Sequence, residues 1–168
     1  IRVEAVGGDD TLRSLLRQAR RVMEEIATGP RVGRAIRSID AVTLSLAGTG
    51  LAIGRAETAP DPEALADVVV DLAAAAGAHD LGVMLAIDEA QMVDPADLRR
   101  IVAGVHRCGQ DGLPLWCVLA GLPNVVGIVA KAATYSERMF TVGHLGPLSP
   151  GEVADAVQRP AREIGVEW

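Results

Sequence analysis

Two adjacent carboxylates, Asp88 and Glu89, directly follow an unbroken apolar run at residues 83–87. Such a run, preceded by Gly82, predicts a strand buried on both faces of a parallel sheet. Because ligands of open α/β folds bind beyond the carboxyl ends of the strands, we expect both acids at a ligand-binding edge. Asp88 could hold Mg²⁺ through water there, and Glu89 could orient or deprotonate a water that attacks a phosphate. Gln91 adds a polar side chain two positions later.

A loop that cradles phosphates has the pattern G-x-x-x-x-G-K-(S/T), and no segment of the 168 residues matches it. The glycine-rich stretch at residues 48–54 reads G-x-G-x-x-x-G, and Arg55 stands where the lysine would be needed. Apolar alternation at residues 42–46 resumes beyond these glycines, which predicts a β-hairpin over residues 41–57. A dinucleotide-binding turn, as in a nicotinamide-dependent enzyme, would instead require a helix at residues 50–57.

Composition places the chain among folded single-domain proteins. Of the 168 residues, 49% are hydrophobic and only 2% aromatic, so the core is expected to be aliphatic. A formal net charge of −6 argues against a chain whose whole surface binds nucleic acid or anionic lipid. A local basic patch that binds nucleic acid stays possible, because arginines cluster at residues 13–21 and 31–37, although a solvated helix face also explains them. Cys108 and Cys117 have no metal-ligand spacing, which favours a reduced, cytoplasmic setting. No apolar stretch of the sequence is long enough to cross a membrane.

Strand and helix signals alternate along the chain. Strands are predicted at residues 1–5, 82–87, 113–120 and 140–145, and helices at 11–26, 32–39, from 61 onward, from 94 to 112, at 126–139 and from 149 to near 165. Asp94 before Pro95 and a capping box that begins at Ser149 mark two helix starts. Pro160 is expected to kink or restart the last helix. This alternation predicts an α/β fold with a parallel sheet.

Two further polar residues are candidates for the same site. Asn124 follows the strand at residues 113–120 and could contact a γ-phosphate or the attacking water, but a plain turn explains it equally well. Arg138 comes just before the strand at residues 140–145. Its guanidinium could stabilise transition-state charge on a neighbouring subunit's nucleotide, or it could form an ordinary salt bridge at a helix end.

The order of these segments resembles that of AAA+-type P-loop ATPase domains, in the bacterial and archaeal branch that is similar to origin-recognition and signal-transduction ATPases. The matching segments are a Walker B-like strand at residues 84–91, a strand end at 119–123, the segment 135–140, and the start of a helical lid that runs from 146–149 to 165–168. Together they cover roughly residues 80–168. Each motif is short, and the resemblance depends on their order and spacing.

The resemblance implies a P-loop NTPase-like sheet in the strand order 5-1-4-3-2, flanked by helices. Residues 1–146 would form the α/β core, without its first strand and phosphate-binding loop but with the hairpin insertion at 41–57, and residues 147–168 would begin the lid. ATP and Mg²⁺ are the implied ligands. The resemblance implies that Asp88 binds the metal through water, Glu89 activates the attacking water, Arg138 acts as an arginine finger and Asn124 as a sensor residue.

Two functions follow as expectations. In the first, the chain is a fragment of an ATP-hydrolysing regulatory ATPase, and it is inactive alone because the phosphate-binding loop (Walker A) is missing. An effector domain would be fused to this ATPase or bound to it as a partner. Because Ile1 is not a methionine, we expect further chain before it. A missing central strand would expose apolar edges and favour self-association. In the second, the chain is a degenerate ATPase-like scaffold module that catalyses nothing.

Overall fold

A computed structural model describes residues 2–4, 9–26, 29–46, 64–132 and 138–166 of the chain. In chain order the elements are β1 (Arg2–Glu4), α1 (Asp9–Ile26), α2 (Pro30–Leu46), α3 (Ala64–Gly77), β2 (Val83–Asp88), a single 3₁₀ turn (Ala90–Met92), α4 (Pro95–Gln110), β3 (Leu115–Leu119), α5 (Val125–Ala132) and α6 (Pro150–Glu163). The predicted α/β class is confirmed. The strands predicted at the start of the chain, before the acid pair and at residues 113–120 are all present.

The described strands form one parallel sheet in the order β1-β2-β3. Ile87 of β2 is in register with Val3 of β1 on one side and with Leu119 of β3 on the other. The strand that carries the acid pair is therefore the central one. Because all three strands are parallel, their carboxyl ends lie at the same edge of the sheet.

One aliphatic cluster forms the main core and joins four helices to a single face of the sheet. Leu85 and Ile87 of β2 belong to it, at 4% and 1% exposure. Its helical members other than alanine are Leu12, Leu15, Leu16 and Met23 of α1, Val32, Ile39 and Val42 of α2, Leu65, Val68 and Leu72 of α3, and Leu98, Ile101 and Val102 of α4. None of these side chains is aromatic, as the composition predicts.

The opposite face of the sheet is exposed over much of its area. Met84 of β2 and Trp116 and Val118 of β3 are 56%, 62% and 50% exposed. Burial alternates along β2, so the prediction of a strand buried on both faces is wrong for the part of the chain that the structure describes. The reason is that an unbroken apolar run does not distinguish a strand covered on two faces from one covered on a single face.

The hairpin predicted over residues 41–57 is wrong in its first strand, because α2 continues to Leu46 as a helix. Val42 is buried together with Ala35 and Ile39, a spacing of four and three residues that belongs to one helix face. Thr43 Oγ1 donates to the Ile39 carbonyl oxygen at 2.8 Å, a bond typical of threonine inside a helix. Residues 47–57, and with them the rest of the hairpin and the helix of the dinucleotide alternative, lie outside the described residues.

The C-terminal part of the chain differs from the prediction in two ways. Residues 140–145 form no strand, and Met139 lies in a short turn at residues 138–139 instead of in α5. The capping box at the start of α6 is confirmed, since Ser149 N donates to Glu152 Oε2 at 2.8 Å and Glu152 N donates to Ser149 Oγ at 3.4 Å. This helix runs through Pro160 and buries none of its side chains.

Candidate functional site

The acid pair lies where the central strand ends. Asp88 is the last residue of β2, and Glu89 follows it with φ 49° and ψ 40°, in the left-handed region. Asp88 Oδ1 accepts a hydrogen bond from Glu89 N at 2.9 Å. The left-handed backbone conformation of Glu89 costs a residue other than glycine roughly 1–2 kcal/mol. Backbone strain of this kind is concentrated at functional sites. Asp80, in the turn after α3, also has a positive φ of 57°, so the conformation of Glu89 points to a functional role only together with its position at the edge of the sheet.

The carboxyl end of β3 lies directly beside the acid pair. Ala120 N donates to the Ile87 carbonyl oxygen at 2.8 Å, and Ala90 N donates to the Ala120 carbonyl oxygen at 2.9 Å. These bonds continue the β2–β3 pairing past the last residue of each strand. The chain after β3 therefore begins next to Glu89, as the parallel arrangement predicts.

Gln91 connects these two strand ends through its side chain, a role that the sequence did not indicate. Its Nε2 donates to Glu89 Oε2, and its Oε1 accepts a hydrogen bond from Leu122 N at 3.1 Å. Gly121 leaves room for this carboxamide, because a Cβ at that position would lie 2.3 Å from Gln91 Oε1. The only signal in the sequence is a glutamine that follows two acids after an apolar run.

Asn124 lies at the start of α5. Its carbonyl oxygen accepts a hydrogen bond from Ile128 N at 3.2 Å, and the residue is exposed. Asparagine is favoured at this position before a helix, so the turn that the sequence offered as an alternative explains why it is there. The sensor role of Asn124 stays a prediction.

Arg138 is an exposed residue in the short turn at residues 138–139. The ion pairs of the described residues involve Arg20, Arg100 and Arg107 and do not include it. The helix-end salt bridge that the sequence left open therefore has no counterpart in the part of the chain that the structure describes. The arginine-finger role stays a prediction, because it requires a second subunit.

Whether the acid pair could hold a metal ion depends on the donor groups that surround it. Nowhere among the described residues do three or more His, Cys, Asp or Glu side chains converge into a group that could hold a metal ion. Mg²⁺ needs no such group beside a nucleotide, because it keeps several waters and takes one or two carboxylates together with phosphate oxygens. Asp88 at the edge of the sheet fits this mode of binding.

Comparisons of the chain with protein-family models, with curated proteins and with solved structures find no match. In the residues that the structure describes, no helix is both long and apolar enough to span a bilayer. A functional conclusion therefore depends on the geometry and chemistry of the acid pair.

Proposed function

We propose that Asp88 and Glu89 form the water-activating half of the nucleotide site of an AAA+-type regulatory ATPase. The proposal rests chiefly on one observation: Asp88 and Glu89 lie at the carboxyl end of the middle one of the three described parallel strands, with Glu89 in a left-handed conformation. In open α/β folds this is the edge at which ligands bind. An acidic pair at that position suits the hydrolysis of a phosphoanhydride.

Each acid has its own role in this proposal. Asp88 would hold Mg²⁺ through its water shell, and the ion would neutralise charge on the phosphate oxygens. Glu89 accepts a hydrogen bond from the attacking water and orients it toward the γ-phosphate. The position of Asp88 within the regular strand and of Glu89 just beyond it lets the two carboxylates serve separate partners.

The sheet supports the proposal in two ways. The order β1-β2-β3 corresponds to strands 2-3-4 of the order 5-1-4-3-2 that the resemblance implies. β3 is an edge strand among the described residues, which is where the strand that leads into the phosphate-binding loop would pair. Because no segment of the 168 residues matches that loop, the proposal requires it from a further segment of polypeptide.

Arg138 and Asn124 have secondary roles in the proposal. The exposed guanidinium of Arg138 is available to a nucleotide held by a neighbouring copy, which implies an assembly of several subunits. Asn124 would contact phosphate or water from the chain that follows β3. A regulatory ATPase of this kind would act on an effector domain, fused or separate, through its nucleotide-dependent changes.

The test measures ATP binding and hydrolysis by the protein expressed from its complete natural reading frame. Glu89→Gln should retain binding of ATP with Mg²⁺ and reduce kcat by about 10²-fold or more, because an amide cannot take the place of a general base. Glu25→Gln makes the same chemical change at an exposed position of α1 and should leave kcat unchanged. Unaltered hydrolysis by Glu89→Gln would remove Glu89 from the mechanism.

A scaffold module without catalysis is the second candidate, and the exposed face of the sheet favours it. Met84, Trp116 and Val118 present apolar surface on that face, a feature typical of interaction sites. The same experiment separates the candidates. Failure of the wild-type protein to bind ATP would overturn the ATPase proposal in favour of the scaffold.

A further inference from the structure

Both ends of the Gln91 carboxamide are engaged at the candidate site. Its Nε2 donates to the carboxylate of Glu89, and its Oε1 accepts from the backbone of Leu122, at 3.1 Å. A glutamine side chain carries one acceptor oxygen and one donor nitrogen, so a single side chain joins the acid to the chain that follows β3. A glutamate, a methionine or an alanine at this position could not make both bonds.

Gly121 completes this arrangement. A Cβ on residue 121 would lie 2.3 Å from Gln91 Oε1 and 3.3 Å from Ala90 N. The first distance is far below van der Waals contact, so the carboxamide occupies the space that a side chain would need. The hydrogen bond from Ala90 N to the Ala120 carbonyl oxygen at 2.9 Å holds the two backbones at this separation.

We propose that Gln91 is a positioning residue, which holds the Glu89 carboxylate in a fixed relation to residues 120–122. This inference rests on the proposed ATPase function and adds to it a link between the water-activating acid and the neighbouring strand end. Glu89 has a long side chain whose last torsion is broad, so without a partner its carboxylate would sample many directions. The hydrogen bond from the amide N–H limits these directions.

The Gln91 side chain also couples the direction of the Glu89 carboxylate to the position of residues 120–122. A displacement of residues 120–122 would move Gln91 Oε1 with Leu122 N, and therefore move the donor that restrains Glu89. Nucleotide contacts made by the chain after β3 would in this way change the direction of the carboxylate. Glu89 and residues 120–122 act as one unit.

The first experiment measures amide hydrogen exchange of Leu122 in the 168-residue chain and does not depend on ATP. Gln91→Met removes both bonds and should raise the exchange rate of Leu122 by about tenfold. Gln91→Glu keeps an acceptor for Leu122 N and loses the donor to Glu89, so the exchange rate should stay near the wild-type value. An unchanged Leu122 rate in Gln91→Met would overturn the link.

The second experiment measures hydrolysis by the same variants in the protein from the complete reading frame. Both Gln91→Met and Gln91→Glu should lower kcat by about 5–10-fold with KM for ATP nearly unchanged, because each removes a hydrogen bond to the acid. A purely structural role for Gln91 would spare Gln91→Glu, in which Leu122 stays protected. Wild-type kcat in Gln91→Glu would therefore overturn the positioning role.

Gly121→Ala tests the same link without a change at Gln91. The new methyl group should displace the carboxamide, raise Leu122 exchange and lower kcat together. Gly127→Ala is the matched control, because a Cβ at that exposed position of α5 meets nothing within 4 Å. If the wild-type protein hydrolyses no ATP, the proposed function fails and the catalytic role of Gln91 with it. If it does and every Gln91 variant is fully active, only the positioning role fails.

Discussion

Gly104 of α4 lies so close to Val69 of α3 that a Cβ built on the glycine would be 2.8 Å from the valine Cβ. The same Cβ would also lie 2.9 Å from the carbonyl oxygen of Ala66. Gly104 is buried, and the two helices meet at this point. The close approach of α3 and α4 therefore depends on the absence of a side chain at residue 104.

Gly104→Ala should lower the free energy of unfolding by about 1–3 kcal/mol, because α3 and α4 must move apart to accommodate the methyl group. Gly109→Ala lies in the same helix, where a Cβ meets nothing within 4 Å. It should raise the free energy of unfolding by up to about 1 kcal/mol, since alanine favours helix over glycine. Urea unfolding of both variants shows whether the two changes in the free energy of unfolding have opposite signs. Equal changes would contradict the close contact between Gly104 and Val69.

The left-handed backbone of Glu89 predicts an unusual preference for glycine. Glu89→Gly should be more stable than Glu89→Ala by about 1 kcal/mol, since both lose the carboxylate and only alanine keeps the strain. At Arg99, an exposed position inside α4, the order should be reversed by a similar amount, about 1 kcal/mol. Chemical unfolding of the four variants gives both differences. An alanine preference at residue 89 would show that its backbone is not strained.

Two helix caps predict different consequences of the same substitution. Asp94 Oδ1 accepts from Ala96 N at 2.8 Å and caps α4, which contributes to the core. Asp94→Ala should therefore lower the free energy of global unfolding by about 1 kcal/mol. Ser149→Ala removes the cap of α6, which buries none of its side chains. Hydrogen exchange should show fraying of α6 in that variant, with the midpoint of global unfolding unchanged.

We predict that titration of the two cysteine thiols lowers the free energy of unfolding at alkaline pH. Burial raises the pKa of Cys108 from its ordinary value of 9.0 to about 11, with a further contribution from the charge of Asp111. Burial also raises the pKa of Cys117 to about 12. Above pH 9.0 the unfolded chain loses thiol protons that the folded chain retains, so the free energy of unfolding should fall as the pH rises toward 11.

The double variant Cys108→Ala/Cys117→Ala provides the control for this pH dependence. Its overall stability will be lower, because Cys108 is 1% exposed and leaves a small cavity. The prediction concerns how steeply the free energy of unfolding falls with pH between the ordinary and the raised thiol pKa values. This slope should be shallower in the double variant than in the wild type. An identical slope would assign the alkaline loss to other groups.

Local patterns along the chain were sufficient for much of the fold. The apolar run before Asp88 predicted β2, and the caps at Asp94 and Ser149 predicted the starts of α4 and α6. Each of these signals depends on residues within a few positions of one another, so it can be read without knowledge of the rest of the chain. The acid pair was located at a sheet edge for the same reason, since a strand direction and its last residue are local properties.

Local patterns failed where a residue is compatible with two structures. Val42, Leu44 and Leu46 alternate as in a strand, yet Val42 also continues the helical spacing of Ala35 and Ile39 in α2. The apolar run of β2 is equally compatible with one covered face or two. In both cases the packing of distant segments decides between the alternatives, and no short window contains that information.

The two acids after an apolar strand, and the aliphatic character of the core beneath them, could be identified from the sequence alone. How those acids are held depends on contacts between distant parts of the chain. Gln91 contacts Leu122, which is thirty-one positions away in the chain, and Gly121 is required because of that contact. Such an arrangement exists only after β2 and β3 have paired, because hydrogen bonds and close contacts depend on distance in space rather than along the chain.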